Sequence, residues 1–182
     1  MKVTFTRGEG LTYTTMALRD DGVLLRVPSH DRTSLLPHDL AHLIVEQGLQ
    51  LKRGFWGCVA AGALFPGMTV VSGRQAPHAA ARSRAILREA GQQGTEAEVL
   101  VAVLSAIHHE RQEDDPAAVR AALAGAWRPS QPSRDLPDHK EVQCICAALR
   151  GAQAQWQDLE AGQSLTFTWT MGPTDKRGKQ RR

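Results

Sequence analysis

Residues 2–27, "KVTFTRGEGLTYTTMALRDDGVLLRV", decide the fold. In "KVTFTR" polar and apolar residues alternate, which puts Val3 and Phe5 on one side of a strand. "LTYTTMALR" is rich in Thr, with Tyr and Leu. "DDG" at 20–22 then signals a tight turn before "VLLRV", where Val23, Leu25 and Val27 alternate. The stretch predicts a three-stranded antiparallel meander. Near the other end "SLTFTWTM" sets Leu165, Phe167, Trp169 and Met171 on one side, the pattern of another half-buried strand that joins the same sheet.

Between these strands the periodicity is helical. Pro37 suits a first helical turn, with Thr33 or Ser34 nearby as caps. A second helical piece runs over 57–64. "APHAAARSRAILREAG" (76–91) groups Ala79, Ser83, Ile86, Leu87 and Ala90 on one stripe and leaves Arg82, Arg84 and Arg88 outside it. "TEAEVLVAVLSAIHHE" (95–110) opens with the capping-box spacing Thr95 to Glu98. A short helix follows over 115–127 and, after the proline-rich "RPSQPSRDLPD", a last helix over 140–159. Strands, then helices, then a strand predict an α+β domain over 1–172. It would be a small antiparallel sheet packed by five or six helices.

The chain has 182 residues, 42% hydrophobic and 23% charged, enough to bury a core without disulfides or structural metal. Its three cysteines are an odd number, and no secretory h-region precedes them, so the expected setting is a reducing cytoplasm. The uncharged stretch 54–72 is broken by Pro66 and glycines and is too short in its apolar part to span a membrane. Net charge is +3, but "TDKRGKQRR" at the end holds five basic residues and one acid. The remainder carries 17 Lys and Arg against 18 Asp and Glu. Residues 173–182 therefore read as a basic, disordered tail that solvates the chain and touches nucleic acid at most without specificity.

The chemistry-bearing stretch is "LPHDLAHLIVEQGLQLKRGFWGCVAAGALFPGM" (36–68). At about 100° per residue, Leu36, Leu40, Leu43 and Ile44 form one buried stripe of a helix. His38 and His42 lie opposite, flanked by Val45 and Leu49 on one side and Asp39 and Glu46 on the other. Val45 and Leu49 would not be needed on a purely wet face, so this second face is expected to be covered, by the chain after Gly54. Two imidazoles at i and i+4 project side by side and can share one divalent ion, zinc being the first choice. A third ligand must come from elsewhere: His30, His78, His108, His109 or a downstream carboxylate. Glu46 is too far along the helix to join an ion centred between the two histidines. The open alternative is a noncatalytic interaction or regulatory module in which the histidines are structural, with His42 paired to Asp39 or Glu46.

"HDLAH" resembles the His-Glu-x-x-His motif of metallohydrolases, with Asp39 in the place of the general base. The resemblance implies His38 and His42 as metal ligands and Asp39 as catalytic base or orienting group, although Asp is one methylene shorter than Glu. An HD-type phosphohydrolase pattern fits less well, because the only earlier histidine, His30, is too near His38 for a preceding helix to carry it. With the strand hairpin before it and "SLTFTW" after it, the 36–65 block is similar to a bacterial family of small proteins of uncharacterised activity. That likeness spans most of residues 1–171 and implies a single cytoplasmic domain.

Other candidates read as structural. Cys144 and Cys146 point about 200° apart on a helix and cannot share an ion. Cys58 lies in the small-residue run "GCVAAGA", which suits close helix packing or, if exposed, a homodimer contact. His108 and His109 end a helix, where the dipole favours a cation. Arg74, Arg82, Arg84 and Arg88 lack the interleaved aromatics of a base-stacking surface.

Overall fold

The computed structural model describes residues 1–29, 35–127 and 135–170. Thr33, Ser34, His30, Met171, the 173–182 tail and most of the proline-rich loop lie outside the described residues. Strands β1 (Lys2–Arg7), β2 (Tyr13–Leu18) and β3 (Leu24–Val27) form the meander, and β5 (Ser164–Thr168) closes onto β1. Their registers include Phe5 opposite Thr15 on β2 and Phe5 opposite Leu165 on β5. A fifth strand not anticipated from the sequence, β4 (Thr69–Ser72), pairs with β3 across an irregularity between Leu24 and Leu25. The antiparallel order is β4-β3-β2-β1-β5. "TVVS" is four residues inside a Gly- and Pro-containing run, too short to show a period.

Alternation on the strands becomes one-sided burial. Val3, Phe5, Tyr13, Ala17, Leu25 and Val27 are buried, while Thr4, Thr6, Thr14 and Thr166 face outward, with Thr4–Thr166 and Thr6–Ser164 hydroxyl pairs across β1 and β5. The helices α1 (His38–Gly48), α2 (Phe55–Ala61), α3 (Ala79–Glu110), α4 (Pro116–Ala126) and α5 (His139–Gln157) cover the buried face. Phe5 meets Trp56 of α2 edge-on, and Tyr13 meets Trp156 of α5 in the same way. Beyond them α3 packs on α1, α2 and α5, and α4 on α3 and α5. One hydrophobic cluster runs from Met1 to Trp169 and draws on all five helices and the sheet.

Helix ends follow their sequence signals with two exceptions. Asp115 caps α4 ahead of Pro116, and Asp138 with Glu141 forms a capping box on α5. The far end of α5 is closed by Arg7 of β1, whose Nη1 donates to the carbonyls of Trp156, Gln157 and Leu159. The first exception is α1, which starts one residue after Pro37 with no side-chain cap. The second is that the two helices expected over 76–91 and 95–110 form one element, α3, broken only at Gly91 (φ 43, ψ −125). The chain is helical again before Thr95, so no Thr95–Glu98 capping box forms and the Glu98 side chain is available to another helix. Arg82, Arg84 and Arg88 lie exposed, outside the stripe that buries Ser83 and Ala90.

Among the described residues, no helix is long and apolar enough to cross a membrane. α2 buries Trp56, Gly57, Cys58 and Val59 against α1 and α3, so its small residues serve packing. All three cysteines are free thiols; Cys58 and Cys146 are buried and Cys144 is exposed. Burial pushes both buried thiols up to about 11. Alkylation of the native protein with iodoacetamide at pH 7.5 should therefore label Cys144 alone, and all three only in denaturant. Mass spectrometry of the peptides checks this; comparable native labelling at Cys58 or Cys146 would contradict the packing.

Candidate metal centre

Helix α1 is covered on every side over one stretch, with Leu40 to Glu46 all buried. That is the second covered face that Val45 and Leu49 foretold. His38 sits exposed in the first turn, and His42, one turn on, is 4% exposed. Their rings meet edge-on at 4.6 Å, which brings the two Nε2 atoms to 3.1 Å. Phe55 at the start of α2 covers the His42 ring from 6.1 Å. From the second half of α3, Glu98 places Oε2 3.3 Å from His42 Nε2. Donor atoms of His38, His42 and Glu98 all lie within 4.8 Å of one another.

Two of these separations are close to those of neighbouring ligands on one ion. With bonds of 2.0–2.2 Å to nitrogen and carboxylate oxygen, tetrahedral ligands on zinc stand about 3.3–3.5 Å apart. The pairs at 3.1 and 3.3 Å are already near that value. Electrostatics point the same way. Burial pulls the His42 imidazole down, but hydrogen bonds to Glu46 and Glu98, reinforced by their charges, lift it to about 9. The hydrogen bond with His42 holds the exposed Glu98 carboxyl below its usual range against some burial. Two imidazoles and two carboxylates thus form a cluster that favours a cation.

Glu46 occupies a different role from Glu98. Its side chain is fully buried, and Oε1 stands 3.1 Å from His42 Nδ1. Oε1 also accepts the N–H of Phe55 at 2.8 Å, and Oε2 that of Trp56 at 2.9 Å. The carboxyl group therefore satisfies amides at the start of α2, a helix whose own N-cap, Gly54, has no side chain to do so. Burial pushes the Glu46 carboxyl up, and His42 with the Trp56 and Gly57 amides pulls it back. Gly54 leaves the room: a Cβ there would run into the Glu46 carboxyl group.

Asp39 is placed elsewhere. Its Oδ2 accepts from Thr15 Oγ1 at 3.3 Å and Tyr13 Oη at 3.5 Å, both on β2, while its carbonyl accepts Trp56 Nε1 at 2.8 Å. The donor cluster contains His38, His42 and Glu98, and not Asp39. The structure thus joins the two predicted histidines, brings a downstream carboxylate, Glu98, close enough to share an ion with them, and sets Asp39 against the sheet. Of the other candidate ligands, His78 precedes α3 and His108 bonds Gln153 at 2.9 Å; neither they nor His109 join the cluster. Nothing local in the sequence marked Glu98, because its partner lies on another helix.

Comparisons with protein-family models, curated proteins and solved structures find no match to this chain. The reading of the site therefore rests on its own geometry.

Gly54→Ala should lower stability by about 1–3 kcal/mol, the usual range for an overpacked site. Gly151→Ala, on α5 where an added Cβ meets nothing within 4 Å, should raise it by about 0.5–1 kcal/mol. Urea unfolding of both variants measures the contrast. Equal effects would mean that Glu46 does not fill the space beside Gly54.

Proposed function

We propose that this chain binds a divalent metal ion, zinc by preference, through His38 Nε2, His42 Nε2 and a Glu98 carboxylate oxygen. One observation carries the reading: donors from two separate helices converge within 4.8 Å. Two histidines and a glutamate are a donor set of catalytic zinc sites, which keep a fourth position for water, whereas structural sites close all four with protein ligands. An ion held this way would acidify bound water to a pKa of about 7 and polarise a carbonyl or phosphoryl oxygen. A hydrolase-like activity is the chemistry that fits. Asp39 would enter it as base or as an orienting group, from its place on Tyr13 and Thr15. Free thiols at all three cysteines accord with a cytoplasmic, reducing setting.

The second reading, a noncatalytic interaction module, draws on the same contacts. An imidazolium at His42 between Glu46 and Glu98 is a satisfied ion-pair network in its own right. Metal content separates the two. Protein purified without a His tag should carry about one zinc per chain by elemental analysis. The His38→Ala/His42→Ala and Glu98→Ala variants should lose more affinity than the roughly 10–100-fold that supporting residues cost. Equal, substoichiometric metal in wild type and variants would remove the first reading. If the loaded protein cleaves a chromogenic ester or phosphodiester, Asp39→Asn should slow it by about 10²–10⁴-fold, the usual worth of a general base. An unchanged rate would leave Asp39 without a catalytic role.

A further inference from the structure

We propose that Glu46 is a positioning residue: it fixes the His42 ring with its proton on Nδ1, so that the Nε2 lone pair faces His38 and Glu98. The proposal deepens the metal reading and rests on it for its functional meaning, but the ring state it asserts exists without metal.

The argument is a count of donors and acceptors. An ionised carboxylate only accepts hydrogen bonds. Glu46 is fully buried, and its two oxygens already take the Phe55 and Trp56 amides, so it is held by backbone that cannot reverse its polarity. Oε1 has a second lone pair, and His42 Nδ1 lies 3.1 Å from it. A proton on Nδ1 completes that bond. A proton on Nε2 instead would satisfy Glu98, but that carboxylate is 60% exposed and water can take the place of the ring, whereas the Nδ1 lone pair would then face the Glu46 carboxylate in a site closed to water, where an unmade hydrogen bond costs most. Nε2, at 3.1 Å from His38 Nε2 and 3.3 Å from Glu98, is then the atom left to bind an ion. A carboxylate behind a metal-binding imidazole is the arrangement that commonly selects the ligand tautomer. Here the same carboxylate also caps α2, so the start of α2 and the aim of His42 are set by one group.

Glu46→Gln tests this at nearly constant volume. The amide has one acceptor oxygen for two backbone donors. The Trp56 amide is buried and the Phe55 amide only half-buried, so the oxygen should stay with Trp56 and the NH₂ should turn toward His42 Nδ1. Nδ1 must then accept, and the proton moves to Nε2. The readout is the ¹⁵N spectrum of His42 in metal-free protein, at a pH high enough for the ring to carry one proton.

Wild type and Glu98→Ala should both show the proton on Nδ1. Glu46→Gln should show it on Nε2, with zinc affinity down by about 10–100-fold and the fold retained by circular dichroism. Glu98→Ala loses zinc with the ring state intact, which separates this proposal from the metal reading. A wild-type ring protonated on Nε2, or a Glu46→Gln variant with unchanged ring state and zinc affinity, would overturn it. Should Glu46→Gln fail to fold, the wild-type and Glu98→Ala spectra still decide.

Discussion

The buried Glu46 carboxylate is the constraint on which the arrangement of α1, α2 and the histidines depends. A carboxylate with no exposed surface is tolerated only where donors surround it. Its donors come from both neighbours at once: the His42 ring one turn back on α1 and the amides that open α2. The chain between the two helices must therefore turn back sharply, and Gly54 permits it by having no Cβ where the carboxyl group sits. Once this corner is set, Trp56 can reach both the Asp39 carbonyl and Phe5 of the sheet. Helix pair and sheet are locked together through one acid and one indole.

The place of Glu98 beside the histidines depends on a second constraint, the course of α3. The helix first packs beside α2, where Ser83 accepts the Leu64 amide and donates to the Leu64 carbonyl. It bends at Gly91 and then lies along α1, burying Ala97, Leu100, Val101 and Leu104. Glu98 flanks that buried stripe, on the edge nearest His42. A continuous straight helix anchored at Ser83 would carry residue 98 in another direction, so the bend at Gly91 belongs to the site as much as to the fold.

Much of this was legible in the sequence, for identifiable reasons. Strand alternation at Val3, Phe5, Leu25 and Val27 reports burial on one face only, which is a local property of a sheet covered on one side. Val45 and Leu49 told that the histidine face of α1 is covered, because apolar residues on the polar side need a partner. Cys144 and Cys146 were correctly separated by helix geometry alone. What escaped was tertiary. Glu98 stands three residues after Thr95, and local pattern assigned it to a cap; the helix restarts earlier, after Gly91, and the side chain goes to His42 instead. A pairing of His42 with Glu46 was among the alternatives legible in the sequence, but the place of Glu46 at the start of α2 was not, because the Phe55 and Trp56 amides are backbone groups that no residue pattern announces. Arg7 on the α5 carbonyls is hidden in the same way.

The three candidate ligands differ in how firmly they are held, and this bears on how they could hold an ion. His42 is enclosed and braced from behind, whereas His38 and Glu98 are exposed at the rim. Ordering an exposed long side chain costs about 1–2 kcal/mol, and here two side chains would be ordered around one fixed nitrogen. Zinc bound by a complete protein cage gains about 10–16 kcal/mol, so the cost is readily offset even with one position left to water. With two of the three residues exposed, an ion held by His38, His42 and Glu98 would lie near the molecular surface, anchored from below by the one enclosed ring.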